Sequence, residues 1–279
     1  MPVIDVKLEN HVAVLTINRP YAGNSVNGEL LRDFLEIVLE LGHDDEVRAF
    51  VTTATGRIWC SGVDHAVLGP GLVEGTSGNK LFYGLGETGL PRLSKQEQLF
   101  DPLGPGRWIL ACREIEKPFI AAVNGAVAGG GLGLLGLHDY RIAADSARFR
   151  AAFIGLGVGP DFGASWFLPR LMGPSAATRF FLENSLYSAK QALETGLVHQ
   201  VVTPEQVLAT AVAMAESLAA LPPLGVRATI RALRRTLDNS LTDQLALEWR
   251  NQDIAFASRD ARRALHAFRN GTQVNFEGA

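Results

Sequence analysis

The sequence predicts an α/β protein, because segments with strand-like and helix-like hydrophobic patterns alternate along the chain. Residues 4–8 and 11–17 have strand patterns, and apolar positions from Asn27 onward repeat at helical spacing, with Gly42 as the expected end of that helix. Further strands are predicted at residues 49–54, 119–123 and 140–144. Strands that alternate with helices favour parallel pairing through crossover connections.

Composition places the chain among ordinary globular proteins. It has 279 residues, of which 47% are hydrophobic and 20% charged, and its net charge of −3 offers no general attraction to nucleic acid or anionic membranes. Two cysteines are too few for a disulfide framework. The N-terminus lacks a secretion-signal pattern, and the uncharged stretch 119–137 is broken at Asn124-Gly125. We therefore expect a cytoplasmic protein with no nucleic-acid or membrane partner.

Two regions depart from the alternating pattern. Residues 68–106 are rich in glycine, proline and polar residues, with a short helix expected near 94–100, and they favour a lid-like insertion. From residue 203 onward the chain has helical patterns split at Pro222-Pro223. This predicts a core of residues 1–202 and a helical region of residues 203–279. Capping-box patterns occur at 188–191 and 203–206, and Gly196 is the expected stop of the first of these helices.

A glycine run, Gly129-Gly130-Gly131, follows the predicted strand 119–123 and opens a predicted helix. Glycine allows close approach to the backbone, and a helix start offers unpaired N–H groups. Such a site suits a phosphate or an oxyanion. The spacing does not match a dinucleotide-binding fingerprint. Close helix packing in the core is the other interpretation.

Six segments, in order along the chain, resemble the crotonase family, also called the enoyl-CoA hydratase/isomerase superfamily. The matching segments are residues 15–20 (LTINRP), 60–64 (CSGVD), 121–131 (AAVNGAVAGGG), 139–144 (DYRIAA), 168–171 (LPRL) and 192–198 (ALETGLV). The resemblance implies a crotonase-like spiral of ββα units. It also implies that the C-terminal helical region drives formation of a homotrimer, often paired as a hexamer.

The family resemblance also implies the site. An acyl-CoA thioester would place its oxygen between the N–H groups of Val63 and Gly130, each contributing about 3 kcal/mol to lowering the barrier. Asp64 would brace this loop, Arg19 would lie beside the CoA nucleotide, and Asp139 would be structural. The full set of expected substrate-binding residues is Arg19, Cys60, Gly62, His65, Gly129, Gly133, Phe153 and Trp166. No metal and no cofactor is expected, apart from coenzyme A as part of the substrate.

The catalytic acids depart from the family's hydratase pattern. The positions of its two glutamates fall here on Gly133 and Phe153, which cannot transfer a proton. Asp161 aligns instead with a catalytic aspartate of other family branches. Near Phe153, Phe162 and Trp166 its carboxylate would be desolvated, which raises its pKa and makes it a better base. The alternative is that Asp161 caps the following helix.

Three functions remain open at this point. The first is double-bond isomerisation through a thioester enolate, with Asp161 as the acid and base. The second is an enoyl-CoA hydratase in which Asp161 works with a glutamate from the insertion, Glu87 or Glu97. The third is a non-catalytic acyl-CoA-binding protein. Dehalogenation is disfavoured, because its water-activating histidine has no counterpart between His65 and His138.

Overall fold

The computed structural model describes residues 2–66 and 93–278. Its larger sheet has six strands in the order β1-β2-β3-β5-β7-β10, and every neighbouring pair except β1-β2 is parallel. The strands are β1 (Ile4–Glu9), β2 (Val12–Ile17), β3 (Ala49–Ala54), β5 (Phe119–Val123), β7 (Tyr140–Ala144) and β10 (Gln200–Val202). The predicted bounds of β3, β5 and β7 are confirmed.

A second sheet of four short strands has the order β4-β6-β8-β9. The strands are β4 (Ile58–Cys60), β6 (Ala126–Ala128), β8 (Arg148–Arg150) and β9 (Leu186–Ser188). Along the chain, β3 then β4, β5 then β6, and β7 then β8 each place one strand in either sheet, in the same spatial order. Each turn of the chain therefore adds one strand to each of the two sheets, which confirms the crotonase-like spiral.

Helices connect the turns of this spiral and complete the C-terminus. Those of the core are α1 (Gly28–His43), α2 (Lys95–Phe100), α3 (Gly106–Arg113), α4 (Gly131–Leu137), α5 (Ala164–Met172), α6 (Pro174–Leu182) and α7 (Ala189–Glu194). Those that follow are α8 (Val207–Ala219), α9 (Pro223–Arg235), α10 (Leu241–Ala257) and α11 (Arg259–Asn270). The predicted C-terminal helices and their break at Pro222-Pro223 are confirmed.

Local signals at the helix ends were partly correct. The Ser188 capping box forms, and Gly196 takes a positive φ just after α7. Two signals were wrong. Gly42 does not end α1, which continues to His43. Glycine at this position instead permits close packing, since a Cβ there would lie 2.6 Å from the Ile115 side chain. Thr203 makes no side-chain cap, because the chain enters a 3-10 turn there before α8.

The hydrophobic core lies around the six-stranded sheet. All residues of β3 and β5 are buried, so these strands are covered on both faces. Helix α8 covers one face through small side chains, with Ala211, Ala215 and Ala219 all buried against the sheet. This packing continues the core beyond residue 202, and the division at 202/203 stays a prediction.

Within residues 2–66 and 93–278, no single helix is long and apolar enough to cross a bilayer. One bent pair, Pro204–Ala219 with Pro223–Arg235, is long and apolar enough only when both parts are taken together across a 109° bend.

Ion pairs hold α9 against the edge of the core. Asp139 accepts a hydrogen bond from the Phe119 amide at 2.9 Å and pairs with Arg234 at 3.0 Å. Arg231 donates through two nitrogens to Glu116. Because Arg234 is only 10% exposed, Asp139 supplies the counter-charge that its guanidinium needs away from water. Asp139 therefore joins the C-terminal helices to the sheet.

We predict that Asp139→Ala lowers the free energy of unfolding by about 2–3 kcal/mol, because the Phe119 amide loses its acceptor and the buried Arg234 guanidinium loses its counter-charge. Urea unfolding at neutral pH measures this. The control is Glu183→Ala, which breaks an exposed pair with Arg179 and is expected to cost less than about 1 kcal/mol. Equal losses in the two variants would contradict the role of Asp139.

Candidate active site

The loop after β4 is fixed by backbone pairing to the segment after Arg19. The Val26 amide donates to the Gly62 carbonyl at 2.7 Å, and the Asp64 amide donates to the Val26 carbonyl at 2.9 Å. In such a bridge the residue between the two bonded groups turns its own N–H to the opposite side. The Val63 N–H accordingly faces away from Val26, and it donates to no acceptor in residues 2–66 or 93–278.

A buried ion pair braces the same loop. Arg19 and Asp64 side chains are 6% and 12% exposed, and their closest nitrogen and oxygen are 2.8 Å apart. Arg19 also donates to the Ser25 carbonyl, and Asp64 accepts from the Ala66 amide at 3.0 Å. Burial would raise the pKa of Asp64, but hydrogen bonds from Arg19 and Ala66 outweigh it and hold that pKa below its ordinary value. The carboxylate is therefore ionised and fixed.

The start of α4 packs backbone-to-backbone on this loop. A Cβ added to Gly131 would lie 2.6 Å from the Cys60 carbonyl oxygen, and one added to Gly62 would lie 3.1 Å from the Gly130 nitrogen. Only glycines permit this approach. Gly130 is buried, and within the described parts of the chain its N–H also has no acceptor. The contact thus brings the loop that carries the Val63 amide against the Gly130 amide, and neither N–H has an acceptor among residues 2–66 and 93–278.

Asp161 lies directly beside this contact. A Cβ added to Gly130 would be 3.0 Å from Asp161 Oδ1, and this oxygen is buried without a hydrogen-bond partner among the described residues. Burial raises the pKa of Asp161 to about 6, against an opposing hydrogen bond to its own backbone amide. Helix α5 has Gly163 at its N-cap position and no side-chain cap, so Asp161 does not cap it.

Gly133 and Phe153 stand at the two positions where the family's hydratases are expected to carry glutamates. A Cβ on Gly133 would lie 2.3 Å from the Phe162 carbonyl oxygen, so the Phe162 backbone fills that direction. Phe153 is 4% exposed and packs near the Phe181 ring. Glu97 is exposed and accepts the Ser94 amide in a capping box. Glu87 lies outside the described residues.

The other predicted site residues are distributed around this centre. Arg19, expected beside the CoA nucleotide, instead has its guanidinium buried against Asp64. Cys60 is fully buried, and burial raises the pKa of its thiol to about 12, so it is no nucleophile. His65 is exposed, and Gly129 takes a positive φ of 53° just before α4.

Trp166 lies on α5, one turn beyond Asp161. It lines a cavity of about 310 Å³ that also reaches Gly163, Ile109 and Leu103. Its ring has the Arg170 guanidinium 3.8 Å from its centroid. Trp166 therefore lies near the Asp161 turn, on the helix that follows it.

Sequence reasoning missed two positioning residues. Asn24, fully buried, accepts the Arg19 amide and donates to the Thr55 and Ile58 carbonyls, which fixes the braced loop to the sheets. Phe162 adopts a positive φ of 47° beside Asp161. The buried asparagine after Asn-Arg-Pro was a readable signal of a turn, whereas nothing in a phenylalanine predicts left-handed backbone.

Known proteins share this architecture. The model of the enoyl-CoA hydratase/isomerase family matches residues 7–81 and 91–279. The chain belongs to the enoyl-CoA hydratase/isomerase family. It is 35% identical over 272 residues to the 1,2-epoxyphenylacetyl-CoA isomerase of Escherichia coli, with 97% of each chain covered. It is 31% identical over 266 residues to the short-chain-enoyl-CoA hydratase of Clostridium acetobutylicum, covering 93% of this chain and 92% of the relative.

A solved structure supports the same assignment. The enoyl-CoA hydratase/isomerase of Cupriavidus metallidurans matches with a TM-score of 0.84 at 27% identity, covering 100% of this chain and 97% of that one. The protein is thus an acyl-CoA enzyme of this family, and its relatives include both an isomerase and hydratases. In the part of the chain that the structure describes, no cluster of three or more histidine, cysteine or acidic residues could hold a metal ion.

We predict that Arg19→Met lowers the free energy of unfolding by about 3–5 kcal/mol, because it leaves the buried Asp64 carboxylate unpaired. Affinity for free coenzyme A, measured by calorimetry well below the unfolding transition, is expected to change less than about threefold. Arg179→Met, at an exposed site, is the control. A large loss of coenzyme A affinity with unchanged stability would instead place Arg19 at the nucleotide.

We predict that Asp161→Asn stabilises the fold at pH 7.5 by about 1–3 kcal/mol, at 1.36 kcal/mol per pKa unit. Because the pKa of Asp161 is raised to about 6 in the folded state, ionisation favours unfolding. This cost is absent below the unfolded pKa near 4 and complete above about 6. Urea unfolding should show the gain at pH 7.5 and a much smaller one at pH 4.5. Exposed Glu248→Gln is the control, and an equal gain at both pH values would contradict the assignment.

Proposed function

We propose that this enzyme moves a double bond within an acyl-CoA thioester, through an enolate that Val63 and Gly130 stabilise and with Asp161 as the acid and base. One observation carries the proposal. Within residues 2–66 and 93–278, a buried Asp161 oxygen without a hydrogen-bond partner lies beside Gly130, and the N–H groups of Gly130 and of Val63 in the adjoining loop have no acceptor.

The amides suit a thioester oxygen that becomes negative during the reaction. Loss of a proton from the α-carbon transfers charge to that oxygen, and two fixed donors stabilise it by about 3 kcal/mol each. Their positions are set before substrate binds, because Gly62 and Asp64 are bonded to Val26 and because Arg19 fixes Asp64. Little reorganisation is needed as the charge develops.

Asp161 suits the proton transfer. With a pKa of about 6 it is mostly ionised at neutral pH and still a stronger base than an ordinary aspartate. For a 3-enoyl thioester it takes an α-proton, and the C–H electron pair forms a dienolate whose charge rests on the thioester oxygen. The same carboxyl returns the proton to the γ-carbon. The thioester carbonyl re-forms, and the double bond now lies between the α- and β-carbons.

A single carboxyl favours this reaction over the addition of water. Hydration needs one group to activate water and another to protonate the α-carbon, and neither Gly133 nor Phe153 supplies such a group. The named isomerase of Escherichia coli among the relatives supports the same choice. The named hydratases keep hydration as a second candidate, in which Glu87 would be the partner of Asp161.

We also propose where the acyl group binds and how the subunits assemble. The cavity lined by Leu103, Ile109 and Trp166 is also lined by Gly163, which follows Asp161 by two residues. It has room for a short or aromatic acyl tail. We further propose that the enzyme works as a homotrimer or hexamer in the cytoplasm. Coenzyme A enters only as part of the substrate.

We predict that the enzyme converts 3-hexenoyl-CoA to 2-hexenoyl-CoA, because Asp161 can move a proton from the α- to the γ-carbon. In D₂O, phenylacetyl-CoA should exchange its α-protons, as measured by mass spectrometry. Asp161→Asn should lower both rates by at least about 100-fold while acyl-CoA binding survives. Glu248→Gln is the control.

The alternatives predict different products. Hydration would convert crotonyl-CoA in ¹⁸O-labelled water to a labelled 3-hydroxyacyl-CoA. A non-catalytic binding protein would bind these thioesters and neither isomerise nor exchange them. Full activity in Asp161→Asn would contradict the proposed role of the aspartate.

A further inference from the structure

The turn that carries Asp161 has an unusual backbone. Phe162 and Gly163 have successive positive φ values of 47° and 76°. Glycine adopts this region freely, but a bulky residue such as phenylalanine rarely does. Phe162 is nevertheless 3% exposed and so well packed. Strained backbone of this kind persists only where its surroundings fix it, and it is concentrated at functional sites.

This strained turn packs against two glycines one helical turn apart at the start of α4, Gly130 at the N-cap position and Gly133 within the helix. A Cβ on Gly133 would lie 2.3 Å from the Phe162 carbonyl oxygen and 2.6 Å from its Cβ. A Cβ on Gly130 would lie 3.1 Å from Phe162 Cδ2 and 3.0 Å from Asp161 Oδ1. Since residues three apart share a helix face, the turn docks on one face of α4 that has no side chain. Any side chain at Gly133 must displace the Phe162 backbone.

In the docked conformation the Asp161 carboxylate also does not bind the free amides at the start of α5. Asp161 lies just before α5, where a carboxylate commonly accepts the free amides of the first helical turn. Here the main-chain carbonyl of Asp161 accepts the Ala164 amide at 2.9 Å, the side chain accepts only its own backbone amide, and Oδ1 is buried without a partner among the described residues. Strain at Phe162 and desolvation at Asp161 occur together at a single turn.

We propose that Phe162, docked on Gly133, is the positioning residue that delivers Asp161 to the oxyanion site. This deepens the proposed function and rests on it. In this chain the Phe162 backbone occupies the space beside Gly133, so position 133 supplies no second carboxyl to the site. Its reactions are those that return a proton to the same thioester, rather than those that add water between two carboxyls.

The test compares two substitutions on the same helix. Gly133→Ala pushes on the Phe162 backbone, whereas Gly136→Ala pushes on Phe167, where a Cβ would lie 2.5 Å from that residue's Cβ. Both should lower thermal stability. We expect only Gly133→Ala to return the pKa of Asp161 toward its ordinary value, followed by NMR of ¹³C-labelled aspartate. Its α-proton exchange with phenylacetyl-CoA should fall about 100-fold with little change in binding, since small misplacements have such effects.

The control, Gly136→Ala, should keep the wild-type pKa of Asp161 and exchange within about threefold. Equal effects of the two variants on exchange and pKa, or wild-type behaviour of Gly133→Ala, would overturn the inference. If Asp161→Asn itself still exchanges protons, the proposed function fails. If Asp161→Asn is inactive while Gly133→Ala matches its control, only this inference fails.

A second pair of variants decides the matter if Gly133→Ala does not fold. Phe162→Gly and Phe162→Ala both remove the ring and differ in their tolerance of positive φ. We expect α-proton exchange to be about 5–30-fold faster in Phe162→Gly, because a left-handed conformation is that much less populated for alanine. Equal exchange in the two variants would show that the left-handed turn does not position Asp161.

Discussion

The site depends on one contact, the backbone of α4 against the backbone of the loop after β4. Gly131 lies on the Cys60 carbonyl and Gly62 lies on the Gly130 nitrogen, at distances that no side chain would permit. The two sheets make this contact possible, because β4 and β6 pair in parallel and end side by side. The spiral fold therefore converts two distant sequence segments into one pair of adjacent amide donors.

The rigid part of the site and its poorly solvated carboxylate lie in different segments of the chain. The loop with Val63 is held by the Arg19–Asp64 ion pair and by the hydrogen bonds of the buried Asn24 amide. The turn with Asp161 has a left-handed Phe162 and a carboxylate oxygen that no described residue hydrogen-bonds. A stable support thus surrounds a group whose own environment lowers stability, which is typical of a catalytic carboxyl. The two glycines of α4 that face the turn connect these parts.

Much of this could be predicted from the sequence, and the limits have physical causes. Strands β3, β5 and β7 were located because they are long apolar runs, whereas the three-residue strands β4, β6 and β8 are too short to show a period. Gly42 looked like a stop because helices often end at glycine, yet here glycine serves packing against Ile115. Asp161 was found through family position. Its docking on Gly133 was not, since it depends on the conformation of Phe162.

A crystal structure of the protein with butyryl-CoA bound would decide whether the two amides and Asp161 form the active site. We predict that the thioester oxygen lies within about 3.2 Å of both the Val63 and Gly130 nitrogens. We also predict that an Asp161 oxygen lies within about 3.5 Å of the α-carbon. A thioester oxygen held by other groups, or an Asp161 carboxylate turned toward the start of α5, would contradict it.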